Sequence, residues 1–175
     1  MKLTNLRLLL TLKCQRACAG CCNKDFDTSS FPIISDFSNG QYDKIYMTGG
    51  EPLLVIPTLE TAIDRIKTQS PHTKRFMYTA LYDGRYVKEL LESNKLDGVT
   101  VTVHNLEDVE QFLEMQKVLK HTKNLDAKSL RVNAFKETNL QEKHIDKSVF
   151  PLRVLEKEWI KNAAVPEDAI GFFRA

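Results

Sequence analysis

Gly98-Val-Thr-Val-Thr-Val-His104 is the stretch that decides the fold class. Val99, Val101 and Val103 alternate with Thr100, Thr102 and His104, which is the period of a strand, because successive side chains point to opposite faces. A helical pattern follows from Leu106 to Lys123. Glu107 and Asp108 lie in its first turn, and Lys117, Lys120 and Lys123 lie towards its end, matching the helix macrodipole. Leu130 to Phe135 then reads as another strand. Strand, helix and strand in this order predict a parallel pair joined by a right-handed crossover.

The same alternation extends outward. Lys74 to Leu81 and Lys44 to Thr48 read as strands, and Leu6 to Leu12 as a buried one. Pro57 to Thr68 reads as a helix, with Leu59, Ala62, Ile63 and Ile66 on one face and a proline suited to the first turn. A shorter helix over Gly84 to Ser93 buries Val87, Leu90 and Leu91. Between Asp25 and Asp43, Ser30 as a cap and Gly40 as a stop predict a short helix. Tyr82 and Arg85 read as surface residues. Past Phe135 the pattern weakens. Leu152 to Leu155 reads as a short sixth strand, and Trp159, Ile160, Ile170, Phe172 and Phe173 form an apolar tail. About five or six strands are too few for an eightfold barrel of about 250 residues. The expectation is an α/β chain: a partial, open TIM-like barrel of parallel strands with outer helices, in a single domain over all 175 residues.

Composition narrows the function. The chain is 42% hydrophobic and 27% charged, with a net charge of +2. That charge argues for neither nucleic acid nor a membrane as partner. No segment approaches the roughly 18 apolar residues of a membrane span. The start breaks its apolar run at Arg7 and has no small-residue cleavage site, so no signal peptide is expected. All four cysteines fall between Cys14 and Cys22. Clustered thiols in such a chain favour metal over disulfide and a reducing cytoplasm.

Cys14-Gln-Arg-Ala-Cys18-Ala-Gly-Cys21 follows directly on the first strand. Thiolates suit iron–sulfur clusters, zinc and Cu(I). A cubane [4Fe–4S] cluster normally takes four cysteines, so three from this loop would leave one iron open. Cys22 is poorly placed as the fourth ligand, since adjacent side chains diverge. A structural zinc site using the four cysteines or a distant histidine is the alternative, although closed zinc sites usually pair two spaced knuckles. A second signal ends the strand at Thr48: Gly49, Gly50, Glu51 and Pro52. Glycines admit a close ligand approach, and a carboxylate suits an ammonium group.

Cys14, Cys18 and Cys21 in CxxxCxxC spacing, followed by Gly49-Gly50-Glu51-Pro52, resemble the radical S-adenosylmethionine superfamily. The resemblance implies that the three cysteines hold a [4Fe–4S] cluster and that its open iron is chelated by S-adenosylmethionine. Gly49, Gly50, Glu51 and Pro52 would then contact the amino group of the cofactor. It also implies reductive cleavage of the sulfonium to a 5′-deoxyadenosyl radical that abstracts hydrogen, with a flavodoxin- or ferredoxin-like electron donor. The family usually places an aromatic before the third cysteine; Gly20 stands there instead, so the adenine needs another wall. Cys18-Ala-Gly-Cys21-Cys22-Asn23-Lys24 is similar to the run found in anaerobic ribonucleotide reductase activases.

The strand over Gly98 to His104 supplies a separate clue. Its valines should pack outward, leaving Thr100, Thr102 and His104 to face the interior. Unpaired polar groups cost about 1–3 kcal/mol each on burial, so a dry interior would not hold them. Arg131 and Asn133 repeat the pattern more weakly. By the resemblance, Thr79, Thr102, His104 and Asn133 are candidates to contact the ribose and carboxylate of the cofactor. The substrate is not legible. A macromolecular or partner-bound substrate, as for a glycyl-radical activase, is the first expectation. A small-molecule enzyme similar to the deazapurine synthases and a non-catalytic metal-binding module are the alternatives. A protein substrate or homodimer mate would cover the open side.

Overall fold

Alternating strand and helix patterns become real elements over most of the chain. The computed structural model describes residues 4–18, 20–25, 27–39, 42–158 and 169–174. In chain order the elements are β1 (Thr4–Thr11), α1 (Cys22–Asp25), β2 (Ile33–Ile34), β3 (Tyr42–Gly49), α2 (Ile56–Gln69), β4 (Lys74–Thr79), α3 (Gly84–Glu92), β5 (Gly98–Val103), α4 (Leu106–Leu119), β6 (Ser129–Phe135), β7 (Leu152–Lys157) and β8 (Ala169–Phe173). The chain is α/β, and the strand pairings described below are all parallel. It forms two compact units: the residues up to Met77 together with β8, and Tyr78–Glu158. Among the described residues, no helix is long and apolar enough to cross a membrane.

In the first unit the strand order is β2-β8-β1-β3-β4. Leu6 and Leu8 of β1 stand opposite Ile45 and Met47 of β3. These four and Met77 of β4 are fully buried. So are Leu59, Ala62, Ile63 and Ile66, the apolar stripe of α2. The other face of the strands carries longer polar and aromatic groups. There Arg7 lies over the Tyr46 ring, and Tyr46 stacks on Phe76 at 5.2 Å. Arg65 of α2 reaches β8: it donates to the Arg174 carbonyl at 3.0 Å and lies over the Phe173 ring.

Two expectations need correcting in this unit. No helix forms between Asp25 and Asp43 among the described residues. Asp27 accepts the Ser29 amide and caps a 3₁₀ turn over Thr28–Ser30, so Ser30 lies inside the turn instead of capping a helix. The two β-branched residues Ile33 and Ile34 then pair with Phe172 and Phe173. Ile170, Phe172 and Phe173 are therefore not a loose apolar tail but the strand between β2 and β1. Gly40, Trp159 and Ile160 lie outside the described residues. With β2 and β8 added, the described residues hold eight strands, more than the sequence pattern suggested.

The second unit orders its strands β5-β6-β7. Val99, Val101, Val103, Leu130, Val132 and Ala134 are buried, as the alternation predicts. Asn105 caps α4 through a reciprocal capping box with Asp108. Asp108 is thus a buried hydrogen-bonding group, not only a charge near the helix dipole. The helix ends at Leu119, short of Lys123, and Asn124 takes up a left-handed conformation beyond it (φ 54°). Phe112 of α4 meets Phe150 ahead of β7, with ring centroids 5.2 Å apart.

Candidate functional site

In the first unit, β1 and β3 run parallel and end side by side, with Thr11 opposite Gly49. The cysteine loop leaves from the end of β1, and Gly49 to Pro52 leaves from the end of β3. Their main chains are joined there. The Gly50 amide donates to the Thr11 carbonyl at 2.6 Å, and the Glu51 amide to the Lys13 carbonyl at 2.8 Å. Gly49 adopts φ +111°, which side chains avoid. A Cβ on Gly50 would stand 2.6 Å from the Lys13 carbonyl carbon and overlap its oxygen. The close approach these glycines permit is to the root of the cysteine loop itself.

The loop returns through a turn in which the Cys21 amide donates to the Cys18 carbonyl at 3.3 Å. Lys24 Nζ donates to that same carbonyl at 3.1 Å. Asn23 Nδ2 donates to the Gly49 carbonyl. Cys14 is exposed, and Cys18 and Cys21 are half-buried; all three are free thiols. Burial pushes the Cys18 thiol up from its ordinary value, and the neighbouring Cys21 and Cys14 push it further. Arg16 and a hydrogen bond from its own backbone oppose them. Cys18 thus senses both neighbouring thiols. Thiolates held together in this way repel, and bound metal cations relieve the repulsion.

Two kinds of metal centre suit a set of thiols, a single zinc and an iron–sulfur cluster. Among the described residues, no group of three or more His, Cys, Asp or Glu converges to hold a single ion. A tetrahedral zinc site brings its sulfurs to about 3.8 Å from one another, the edge set by 2.3 Å bonds. A cubane binds each thiolate through a different iron and tolerates a wider spacing. Three thiols on one loop, with the main chain of Gly49–Glu51 beside its root, are soft donors of the kind an iron–sulfur cluster takes. The side chain of Cys22 lies outside the described atoms.

Glu51 is 2% exposed. Its Oε1 accepts the Leu53 amide at 3.1 Å and caps the 3₁₀ turn over Pro52–Leu54. The residue read as an ammonium partner therefore also holds its own turn in place.

The remaining candidates lie in the second unit. Thr102 stands opposite Asn133, and Asn133 opposite Val154, across β5, β6 and β7. His104 follows β5 on the same face as Thr102. Its ring stacks on Phe135 at 5.3 Å, its amide donates to Asp108 Oδ2 at 2.9 Å, and its Nδ1 lies 4.0 Å from that oxygen. Thr102, His104 and Asn133 are thus brought together at the carboxyl end of two strands. Thr79 serves its own turn: its hydroxyl exchanges hydrogen bonds with the Leu81 amide and carbonyl.

Sequence reasoning missed three residues. Asn23 and Lys24 were noted only as part of a similar run, although Asn23 donates to the Gly49 carbonyl and Lys24 to the Cys18 carbonyl. Tyr82 read as a surface residue; it is half-buried, and its hydroxyl donates to the Thr102 carbonyl at 2.9 Å. No protein-family model matches the chain, and no match is found among curated proteins.

Proposed function

We propose that the chain is a radical S-adenosylmethionine enzyme built on a partial parallel barrel. One observation carries this reading: the Gly49-Gly50-Glu51 main chain is hydrogen-bonded to the root of the loop bearing Cys14, Cys18 and Cys21. The two motifs of the resemblance are far apart in sequence, yet they lie side by side at the carboxyl ends of parallel strands, where reactive groups gather.

Cys14, Cys18 and Cys21 would hold a [4Fe–4S] cluster, and Gly49 to Pro52 would receive the methionine part of S-adenosylmethionine. When bound, the cluster supplies the low-potential electron that splits the sulfonium, and the resulting 5′-deoxyadenosyl radical abstracts hydrogen. The chain's own residues prepare the site. Arg16 favours the thiolate form of Cys18 against burial. Gly49 and Gly50 set the backbone next to the loop without a side chain between them. In the second unit, Thr102, His104 and Asn133 bring a hydroxyl, an imidazole and an amide together at one strand end. Thr79 is the weaker candidate, because its hydroxyl already closes a turn. The substrate is macromolecular or partner-bound, with a glycyl-radical activase as the nearest model. A flavodoxin- or ferredoxin-like donor in the cytoplasm supplies the electron.

Anaerobic reconstitution with iron and sulfide tests this. About four irons per chain are expected, as for a cubane, together with 5′-deoxyadenosine on addition of dithionite and S-adenosylmethionine. Cys14→Ala, Cys18→Ala or Cys21→Ala should each abolish the cluster, whereas Cys22→Ala should retain it. A colourless protein carrying one zinc would overturn the proposal.

A further inference from the structure

We infer that Asn23 is a positioning residue that ties the cysteine loop to the Gly49–Glu51 segment, so that metal binding by the loop also orders the segment that receives the cofactor. This inference rests on the function proposed above. It starts from an asymmetry in how the loop is held.

Both ends of the loop are fastened to the same three residues. At the end of β1 the fastening is main chain to main chain: Gly50 to the Thr11 carbonyl and Glu51 to the Lys13 carbonyl. Those bonds do not depend on the side chains present. At the return into α1, among the described residues, a side chain makes the fastening: Asn23 Nδ2 donates to the Gly49 carbonyl. Between the two ends the loop is closed on itself by Cys21 and Lys24, which both donate to the Cys18 carbonyl. Cys14 lies near the main-chain end. Cys18 and Cys21, the half-buried pair, lie near the end that relies on Asn23. Losing that tie frees two of the three thiols from the cofactor segment.

The chemistry requires an amide. The Gly49 carbonyl is an acceptor and needs a donor opposite it. Aspartate has the same shape but, when ionised, only acceptor oxygens, so it would repel the carbonyl. Glutamine keeps the donor on a longer arm. With the tie present, ordering the loop lowers the cost of ordering Gly49–Glu51. The loop ligand and the segment ligand then strengthen each other reciprocally.

Amide hydrogen exchange on the full chain reads this directly. In the metal-free protein, Asn23→Ala should speed exchange at the Cys21 and Lys24 amides about tenfold, a typical size for coupling between sites. Unchanged exchange there overturns the tie, whatever the chain does with metal. After iron–sulfide reconstitution, exchange at Gly50 and Glu51 should slow in the native chain. Asn23→Ala and Asn23→Asp should keep the iron but lose that slowing, and should bind S-adenosylmethionine about tenfold more weakly by calorimetry. Asn23→Gln should recover part of both effects. Equal slowing and equal affinity in the alanine and aspartate variants overturn the coupling. If the native chain takes up no iron, the proposed function fails, while the metal-free comparison still decides the tie. Should Asn23→Ala not fold, the aspartate variant decides it by the same exchange measurement.

Discussion

At Glu51 one carboxylate has two duties. It caps the turn over Pro52–Leu54 and, in the proposed function, meets the ammonium of the cofactor. Two substitutions separate these duties. Glu51→Ala removes the cap and should cost about 0.5–2 kcal/mol of stability in urea unfolding. Glu51→Gln keeps an acceptor for the Leu53 amide, so its stability should stay within about 0.5 kcal/mol of the native chain. Its affinity for S-adenosylmethionine, measured calorimetrically on reconstituted protein, should still fall. Equal affinity would leave Glu51 with its structural duty alone. The residues that sequence exposed were those whose chemistry is rare at a fixed spacing: three thiols, and two glycines before a carboxylate. Asn23 and Tyr82 were hidden because asparagine and tyrosine are ordinary residues, and their partners, Gly49 and Thr102, are distant in the chain. Thr79 was a candidate by the resemblance alone, and its hydroxyl also closes a turn two residues away.

Helices and strands with an apolar period were legible, the short strand β7 among them, and the two-residue strand β2 was not. In α2 the stripe of Leu59, Ala62, Ile63 and Ile66 was visible in sequence and is fully buried in the fold. Ile63→Ala should therefore cost about 2–5 kcal/mol, the usual range for emptying such a site, and thermal unfolding would measure it. β2 is two residues long, and no window of periodicity detects it; only its remote partner makes it a strand. The segment joining β6 to β7 carries a pH signature. Asp146 accepts from the Ser148 hydroxyl and pairs with Lys120 at 2.9 Å, and these contacts hold its carboxyl down at about 2. A carboxyl depressed in the folded state stabilises it fully above the unfolded value near 3.9 and loses that contribution as pH falls through the folded one. Asp146→Asn should thus melt at a lower temperature than the native chain at neutral pH. The gap should close as the pH is lowered from about 4 to about 2. A gap that persisted in acid would reject this account.

On the scale of the whole chain, the strand–helix alternation was readable from β3 to β6, but the way the last described strand returns to the first was not. β8 stands between β2 and β1, with Gly171 opposite Leu8 and close to Ile34. Gly171→Val would drive a branched side chain into Ile34 and the Pro32 carbonyl, at a cost of about 1–3 kcal/mol, as for other overpacked sites. Denaturant unfolding followed by Tyr and Trp fluorescence would show it; native stability would refute the strand's placement. The order of synthesis adds a consequence. Translation delivers about 5–20 residues per second, so on the ribosome β1 and β2 emerge seconds before the strand that separates them. Until it arrives, the nascent polypeptide displays an unmatched row of main-chain donors and acceptors beside freshly made thiols.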